Sequence, residues 1–308
     1  MNNNLYWNVY KSLERELLAL AEFIHIDDSQ LNVYSMKIAD LLIRTSVEIE
    51  SISKELYFRE GGTKPDDKDL YFDTDCLALL ESKWSLSKKV VMISSPIFYL
   101  KESDNIYLTP LHKAHKRGTS SSDWQKAYQA VKHNRAKSLN KGTLKHFIRS
   151  LGALFLLNIY YNNRKYYLDK DNYGTSIDAN LGSSIFSINI HPFQGFETDG
   201  QYCKLGNFDS CTYLVQPTEE TKEILKNVLN KVRKEILEPA KMQTREAVMN
   251  DAAQIVDMPK EDINTKIKET FINVKKNLYS QLSLEDRIEY KQASNSIKYE
   301  LVLNTNQY

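Results

Sequence analysis

The stretch TLKHFIRSLGALFLLNIYYN, residues 143–162, decides the fold class. Its apolar side chains recur at spacings of three and four and fill more than one face of a helix. A surface helix needs only one apolar stripe, so this pattern predicts a helix at the centre of a helical bundle. The apolar residues are Leu144, Phe147, Ile148, Leu151, Leu154, Phe155 and Ile159.

Amphipathic repeats predict further helices on both sides of this segment. Residues 30–59 carry one apolar seam, in which steps of four and three alternate from Ile38 to Leu56. Similar patterns predict helices over residues 5–25, 73–84 and 217–237, and two more helices that follow Pro239 and Pro259.

Shorter segments have the composition of strands. Residues 88–100 and 105–109 are expected to be extended, and alternation between 185 and 190 and near 212–215 predicts two to four strands within 166–216. The tail from 296 to 303 alternates in the same way and can pair with that β element. The predicted architecture is mainly α, with a helical bundle over 1–165. Residues 166–308 are expected to form a small β element and a C-terminal helical region.

Composition and motifs exclude several classes of protein. The 308 residues include only ten glycines and seven prolines, and no Walker, dinucleotide-binding, zinc-protease or serine-hydrolase motif occurs. The cysteines Cys76, Cys203 and Cys211 are widely spaced, so we expect neither a disulfide framework nor a metal site, and no cofactor. The first residues lack the pattern of a signal peptide, and the longest apolar run is too short to span a bilayer. We therefore expect a cytoplasmic protein without a membrane partner.

The charge is concentrated in one region, which we call the basic segment, residues 111–150. It contains ten lysines and arginines against a single acidic residue, Asp123, which gives 10 − 1 = +9, whereas the whole chain carries +1. The rest of the chain therefore sums to 1 − 9 = −8. Such asymmetry indicates a surface that faces a polyanion, and the alternative is a lysine-rich solvated helix face.

Within the basic segment, residues 123–135 form the motif Trp124-x-x-x-Tyr128-x-x-x-Lys132-His133-x-Arg135. Helical spacing places the two aromatic residues on one face, where they can anchor the helix to a core. Lys126 and His133 are seven residues apart, so they point the same way at a separation of about 10 Å.

This motif, followed by the apolar helix 143–162, resembles HEPN-type helical proteins over residues 5–165. Such proteins are helical bundles that usually dimerise, and many are metal-independent ribonucleases of toxin–antitoxin and antiviral defence systems. Their hallmark is an arginine, four to six residues and then a histidine. His133 fits the histidine, Lys126 stands where the arginine would be, and Arg135 lies on the other side of the histidine. Lysine keeps the charge but lacks the planar fork that grips a phosphate with two bonds.

The resemblance implies RNA as the partner, a homodimer, and an antitoxin or other partner protein. His133, Lys126 and Arg135 would be catalytic. The imidazole would move a proton to or from the ribose, and the cations would hold the phosphate. Residues expected to bind nucleic acid are Lys132, Asn134, Lys113, Lys116, Arg117, Lys137, Lys145 and Arg149. The alternative is a catalytically inactive module of the same fold that binds nucleic acid or protein. For Lys132 and His133 a purely structural role at a helix C-terminus also remains open.

Overall fold

A computed structural model of the chain describes residues 5–66, 69–168, 177–196, 201–251 and 258–308. These residues are mostly helical, as the apolar periodicity predicts. They fall into two compact units, one comprising the chain up to Gln216 together with Glu300–Tyr308, the other Pro217–Tyr299. The predicted domain boundary at residue 165 does not coincide with the boundary between the units, because the strands after residue 165 belong to the first unit.

Six helices are described in the first unit, and α6 lies at its centre. Of the 19 residues of α6, 14 are buried, and the helix packs against α1, α2 and α5. The predicted central helix is therefore confirmed. The helices are α1 (Leu5–Ala21), α2 (Met36–Arg59), α3 (Ala78–Trp84), the single turn α4 (Ser103–Ile106), α5 (Asp123–Ser138) and α6 (Leu144–Asn162).

The helix predicted over residues 30–59 begins later than expected. Gln30–Asn32 forms a separate 3-10 turn, and α2 starts after Ser35, whose hydroxyl accepts a hydrogen bond from the backbone of Ile38 at 3.2 Å. This cap satisfies one of the backbone N–H groups that have no partner within the helix, which fixes where α2 begins.

The first unit also holds two small sheets. Their strands are β1 (Val91–Ile93), β2 (Tyr107–Leu108), β3 (Tyr166–Leu168), β4 (Phe186–Ile188), β5 (Ile190–His191), β6 (Tyr213–Pro217) and β7 (Tyr299–Leu303). One sheet has the order β2-β1-β4 with antiparallel pairs, and the other has the order β3-β7-β6-β5.

The strands predicted in 166–216 and in the tail are confirmed, but they do not form a single element. β4 pairs with β1, while the tail strand β7 pairs with β3 and β6. Residues 169–176 and 197–200, which also fall in the predicted β region, lie outside the described residues. The side-chain amide of Asn304 donates to the backbone carbonyls of Phe208 and Cys211 at 2.8 and 3.0 Å, and the backbone carbonyl of Asn304 accepts from the hydroxyl of Tyr160 of α6 at 2.7 Å. These bonds anchor the end of the chain to the central helix.

The second unit is helical, with α7 (Glu219–Val232), α8 (Glu238–Asn250), α9 (Lys260–Gln281) and α10 (Leu284–Asn295). A π-helical turn over Arg233–Leu237 joins α7 to α8, close to the predicted helix end near residue 237. Lys231 of α7 lies 2.6 Å from the carboxylate of Asp286 and 2.7 Å from that of Glu289, and so connects α7 to α10. No helix among the described residues of either unit is long and apolar enough to cross a membrane.

Candidate nucleic-acid interface

The start of α5 is fixed rigidly to the turn that precedes it in the basic segment. Ser122 and Gln125 form a reciprocal capping box, which satisfies backbone donors at the helix N-terminus. The indole Nε1 of Trp124 donates to the carbonyl of Pro110 at 2.9 Å, and the amide of Gln125 donates to the carbonyl of Ala114 at 2.9 Å. Because Trp124 and Gln125 are both buried, these bonds hold the turn 110–114 against α5.

A cavity of about 420 Å³ lies where this turn, the start of α5 and the second turn of α6 meet. Three of the predicted phosphate-binding cations, Lys113, Lys126 and Arg149, come together on its lining, with His112 beside them. The remaining lining residues are Asp104, Tyr107, Leu108, Thr109, Pro110, Ser121, Ser122, Asp123 and Trp124. A volume of this size is in the range of small-ligand sites, roughly 300–1,000 Å³.

The two acidic side chains on the lining are placed differently. Asp123 forms an ion pair with Arg149, which ties the first residue of α5 to α6. Asp104 belongs to the α4 turn and forms no ion pair with the described residues. In the described residues, neither Lys113 nor Lys126 has a carboxylate within ion-pair distance, so the lining carries two unpaired ammonium groups and one unpaired carboxylate.

Sequence reasoning did not single out His146, which lies one turn before Arg149 on α6. Its Nδ1 is 2.7 Å from the carbonyl oxygen of Lys141, an acceptor only, so Nδ1 carries the proton and Nε2 is the basic nitrogen of the neutral ring. Burial lowers the pKa of His146 below its ordinary value, whereas the negative charge of Asp123 acts in the opposite direction and raises it. The spacing of His146 and Arg149, three residues apart on a predicted helix, is the signal that could have identified it.

The second half of α5 carries the other predicted catalytic residues, and none of them lines the cavity. His133 is exposed, with Nε2 3.1 Å from the side-chain oxygen of Gln129. Arg135 forms a 2.8 Å ion pair with Asp40 of α2. His133 lies two helical turns beyond Lys126, a rise of about 10 Å, and it is absent from the cavity lining. The structure therefore joins Lys126 with Lys113 and Arg149, not with His133 and Arg135.

The predicted binding residues near the end of α5 have local partners. Lys132 donates to the hydroxyl of Tyr128 at 3.0 Å, and this hydrogen bond raises the pKa of Lys132. Asn134 has non-helical backbone angles, φ −150° and ψ 67°, and interrupts the helix. Its side-chain oxygen accepts from the backbone of Lys137 at 3.4 Å. The motif thus ends in a local break of the helix.

Arginines and lysines of the basic segment differ in their partners. All three arginines, Arg135 and Arg149 among them, form ion pairs with aspartates. Arg117 lies 3.2 Å from Asp73, and its guanidinium also lies 3.6 Å from the ring centre of Tyr71. Within the part of the chain that the structure describes, none of the seven lysines has an ion-pair partner. They are Lys113, Lys116, Lys126, Lys132, Lys137, Lys141 and Lys145, and all but Lys145 are exposed.

Among the described residues, no group of three or more histidine, cysteine, aspartate or glutamate side chains could hold a metal ion. Comparisons of the chain with models of protein families, with curated proteins and with solved structures found no match.

Proposed function

We propose that this chain is an RNA-binding protein with a HEPN-like bundle, which holds the sugar–phosphate backbone through the lysines of the basic segment. The observation that carries the proposal is the division between paired arginines and unpaired lysines. Lysine offers a compact, mobile point charge, whereas recognition of individual groups more often uses the planar fork of arginine. Contacts of this kind give affinity without dependence on base sequence.

The test is the salt dependence of RNA binding. For a single-stranded oligoribonucleotide, the logarithm of the association constant should fall with the logarithm of salt concentration, by about 0.7 for each phosphate that a lysine neutralises. Lys126→Ala and Lys137→Ala should each weaken binding and reduce this slope. Lys276→Ala, which removes an exposed lysine of α9 outside the basic segment, serves as the control. Binding that is insensitive to salt, or equal losses in all three variants, would contradict the proposal.

A metal-independent endoribonuclease is the second candidate function. It is favoured by two histidines of the basic segment, the exposed His133 and the Nδ1-bonded His146, because an imidazole is the side chain that most often acts as a general acid or base. His133 lies outside the cavity of its own chain, so a second copy, as in the homodimer that we expected, would have to bring His133 to a phosphate held in that cavity. An antitoxin or other partner protein would then act by covering this surface.

A cleavage assay with total RNA in EDTA separates the two candidate functions. It compares the wild-type protein with His133→Ala and His146→Ala, and His25→Ala is the control at an exposed histidine. Loss of cleavage in the first or second variant alone would assign the catalytic histidine. Salt-sensitive binding without cleavage by the wild-type protein would leave the RNA-binding function and exclude the nuclease.

A further inference from the structure

The cavity of Lys113, Lys126 and Arg149 differs from a purely basic groove because aromatic, apolar and acidic side chains also line it. From this geometry we infer that it binds the terminal nucleotide of an RNA strand through a phosphate monoester at the strand end. The inference rests on the proposed RNA binding, and it adds that one site on the basic segment distinguishes strand ends from strand interiors.

The charges on the lining favour a monoester over an internal diester. At neutral pH a phosphate monoester carries a charge of roughly −1.5 to −2, whereas a phosphate diester carries about −1. Lys113 and Lys126 supply two positive charges without an ion-pair partner, Arg149 adds a third that Asp123 compensates, and Asp104 contributes one negative charge to the same lining. The group with the higher charge density gains more from two ammonium groups on one lining.

The aromatic and oxygen-bearing side chains of the lining fit the sugar and base of one nucleotide. Tyr107 borders the cavity and is 51% exposed, so its ring offers a face on which a base can stack. Asp104 and the hydroxyl of Thr109 are hydrogen-bonding groups for ribose hydroxyls. The hydroxyls of Ser121 and Ser122 are already bonded to Gly118 and Gln125, so we assign them no role in binding.

The backbone of Lys113 is an independent sign of a built site. Its φ of +59° lies in the left-handed region, which costs a residue with a side chain about 1 kcal/mol and favours glycine or asparagine. The turn 110–114, held by Trp124 and Gln125, keeps Lys113 in this conformation on the cavity lining. A lysine at such a position places an ammonium group at the cavity at a conformational cost.

The experiment compares one single-stranded oligoribonucleotide in three forms: with a 5′-phosphate, with a 3′-phosphate and with hydroxyls at both ends. Fluorescence anisotropy at fixed salt, with the label placed internally, should show binding about tenfold tighter for one phosphorylated form than for the hydroxyl form, the usual gain from charge-assisted hydrogen bonds to one anion. Whichever phosphorylated form binds more tightly identifies the strand end. Uridine monophosphate of the matching position should compete at this site, and uridine should not.

Two variants separate the cavity from the rest of the basic segment. Lys113→Asn suits the left-handed backbone and removes the charge without adding strain, so the tenfold preference should vanish while thermal stability is kept. Lys137→Ala lies on α5 outside the cavity and should weaken all three oligonucleotides equally while the preference remains. RNA binding without an end preference in the wild-type protein would overturn this inference and leave the proposed function intact. Absence of RNA binding with no binding of uridine monophosphate would overturn both.

Discussion

The guanidinium of Arg149 on α6 is paired with the carboxylate of Asp123, the first residue of α5, and both side chains line the basic cavity. This pair joins two helices of the bundle, and it also compensates one of the three positive charges that the cavity gathers. Asp123 is the only acidic residue of the basic segment. Its position therefore links the packing of the helices to the electrostatic potential of the surface.

Asp123→Asn should strengthen RNA binding by roughly threefold, because removing the carboxylate frees the charge of Arg149. The variant should lower the free energy of unfolding only slightly, because a partly exposed ion pair contributes about 0.2–1 kcal/mol to stability. Anisotropy titrations and thermal unfolding measure the two effects. Asp66→Asn is the matched control, since it changes net charge equally but breaks a surface pair with Lys54 at 2.7 Å outside the segment. Weaker RNA binding by Asp123→Asn would contradict the role assigned to the pair.

Glu14→Ala should destabilise the first unit by about 3 kcal/mol, because it removes the buried acceptor shared by two hydroxyls and one backbone N–H and leaves Lys11 without its partner. Glu14 is 1% exposed, and it accepts hydrogen bonds from Tyr10 at 2.8 Å, from the Ser183 hydroxyl at 2.6 Å and from the backbone of Ser184 at 2.7 Å, besides its pair with Lys11.

Denaturant unfolding measures the loss at Glu14, and Glu16→Ala is the matched control. Glu16 lies on the same helix and forms a 2.7 Å pair with Lys37 at the surface, so its removal should cost below about 1 kcal/mol. Equal losses in the two variants would refute the importance of the buried network.

His191 should make stability depend on pH near neutrality. The ring is fully buried; Nε2 accepts from the backbone of Leu205 at 3.0 Å, and Nδ1 lies 3.0 Å from the hydroxyl of Tyr202. Burial lowers the pKa of His191 below its ordinary value of 6.5. The unfolded state then binds more protons than the folded state, so this contribution is fully present above the unfolded pKa and declines as pH falls towards the lower folded pKa.

Unfolding free energies measured from neutral pH down to about pH 5 should therefore decrease in the wild-type protein. His191→Gln, which removes the titratable ring, should flatten this dependence on pH. A wild-type slope that persists in His191→Gln would assign the effect to another group.

The three cysteines should differ in reactivity. Burial raises the pKa of Cys76 to about 12 and that of Cys211 to about 11, which keeps both thiols protonated and unreactive, while Cys203 is half-buried. Alkylation of the native protein with iodoacetamide, followed by mass spectrometry, should modify Cys203 first. Cys76 and Cys211 should react only after unfolding. Rapid native labelling of Cys76 would contradict its burial beneath α2 and α3.

Local sequence patterns determined the helices of this protein. The apolar seam of α2 and the all-round apolar surface of α6 are properties of consecutive residues, because side chains three and four apart meet on one face whatever the rest of the chain does. Ser122, three residues before Gln125, likewise marks the start of α5. The strand segments were readable only in part, through alternation with a period of two. Residues 88–100 and 105–109 were expected to be extended, but they contain only the short strands β1 and β2, and residues 105 and 106 belong to the α4 turn.

Tertiary structure decided which segments meet. β1 pairs with β4, although nothing in these short segments specifies a partner so far away in sequence. The tail pairs within the β region where we expected it to, but its place between β3 and β6 was not predicted. The same holds for the site. The sequence grouped Lys126 with His133 by helical spacing, and the fold grouped it with Lys113 and Arg149.

The pairing of Arg117 with Asp73 and of Arg135 with Asp40 divided the basic segment into compensated arginines and uncompensated lysines. Charge along the chain is fixed by the sequence. Charge in space depends on which distant carboxylates the fold brings within a few ångströms, because the interaction of two charges falls with their separation and with the solvent between them.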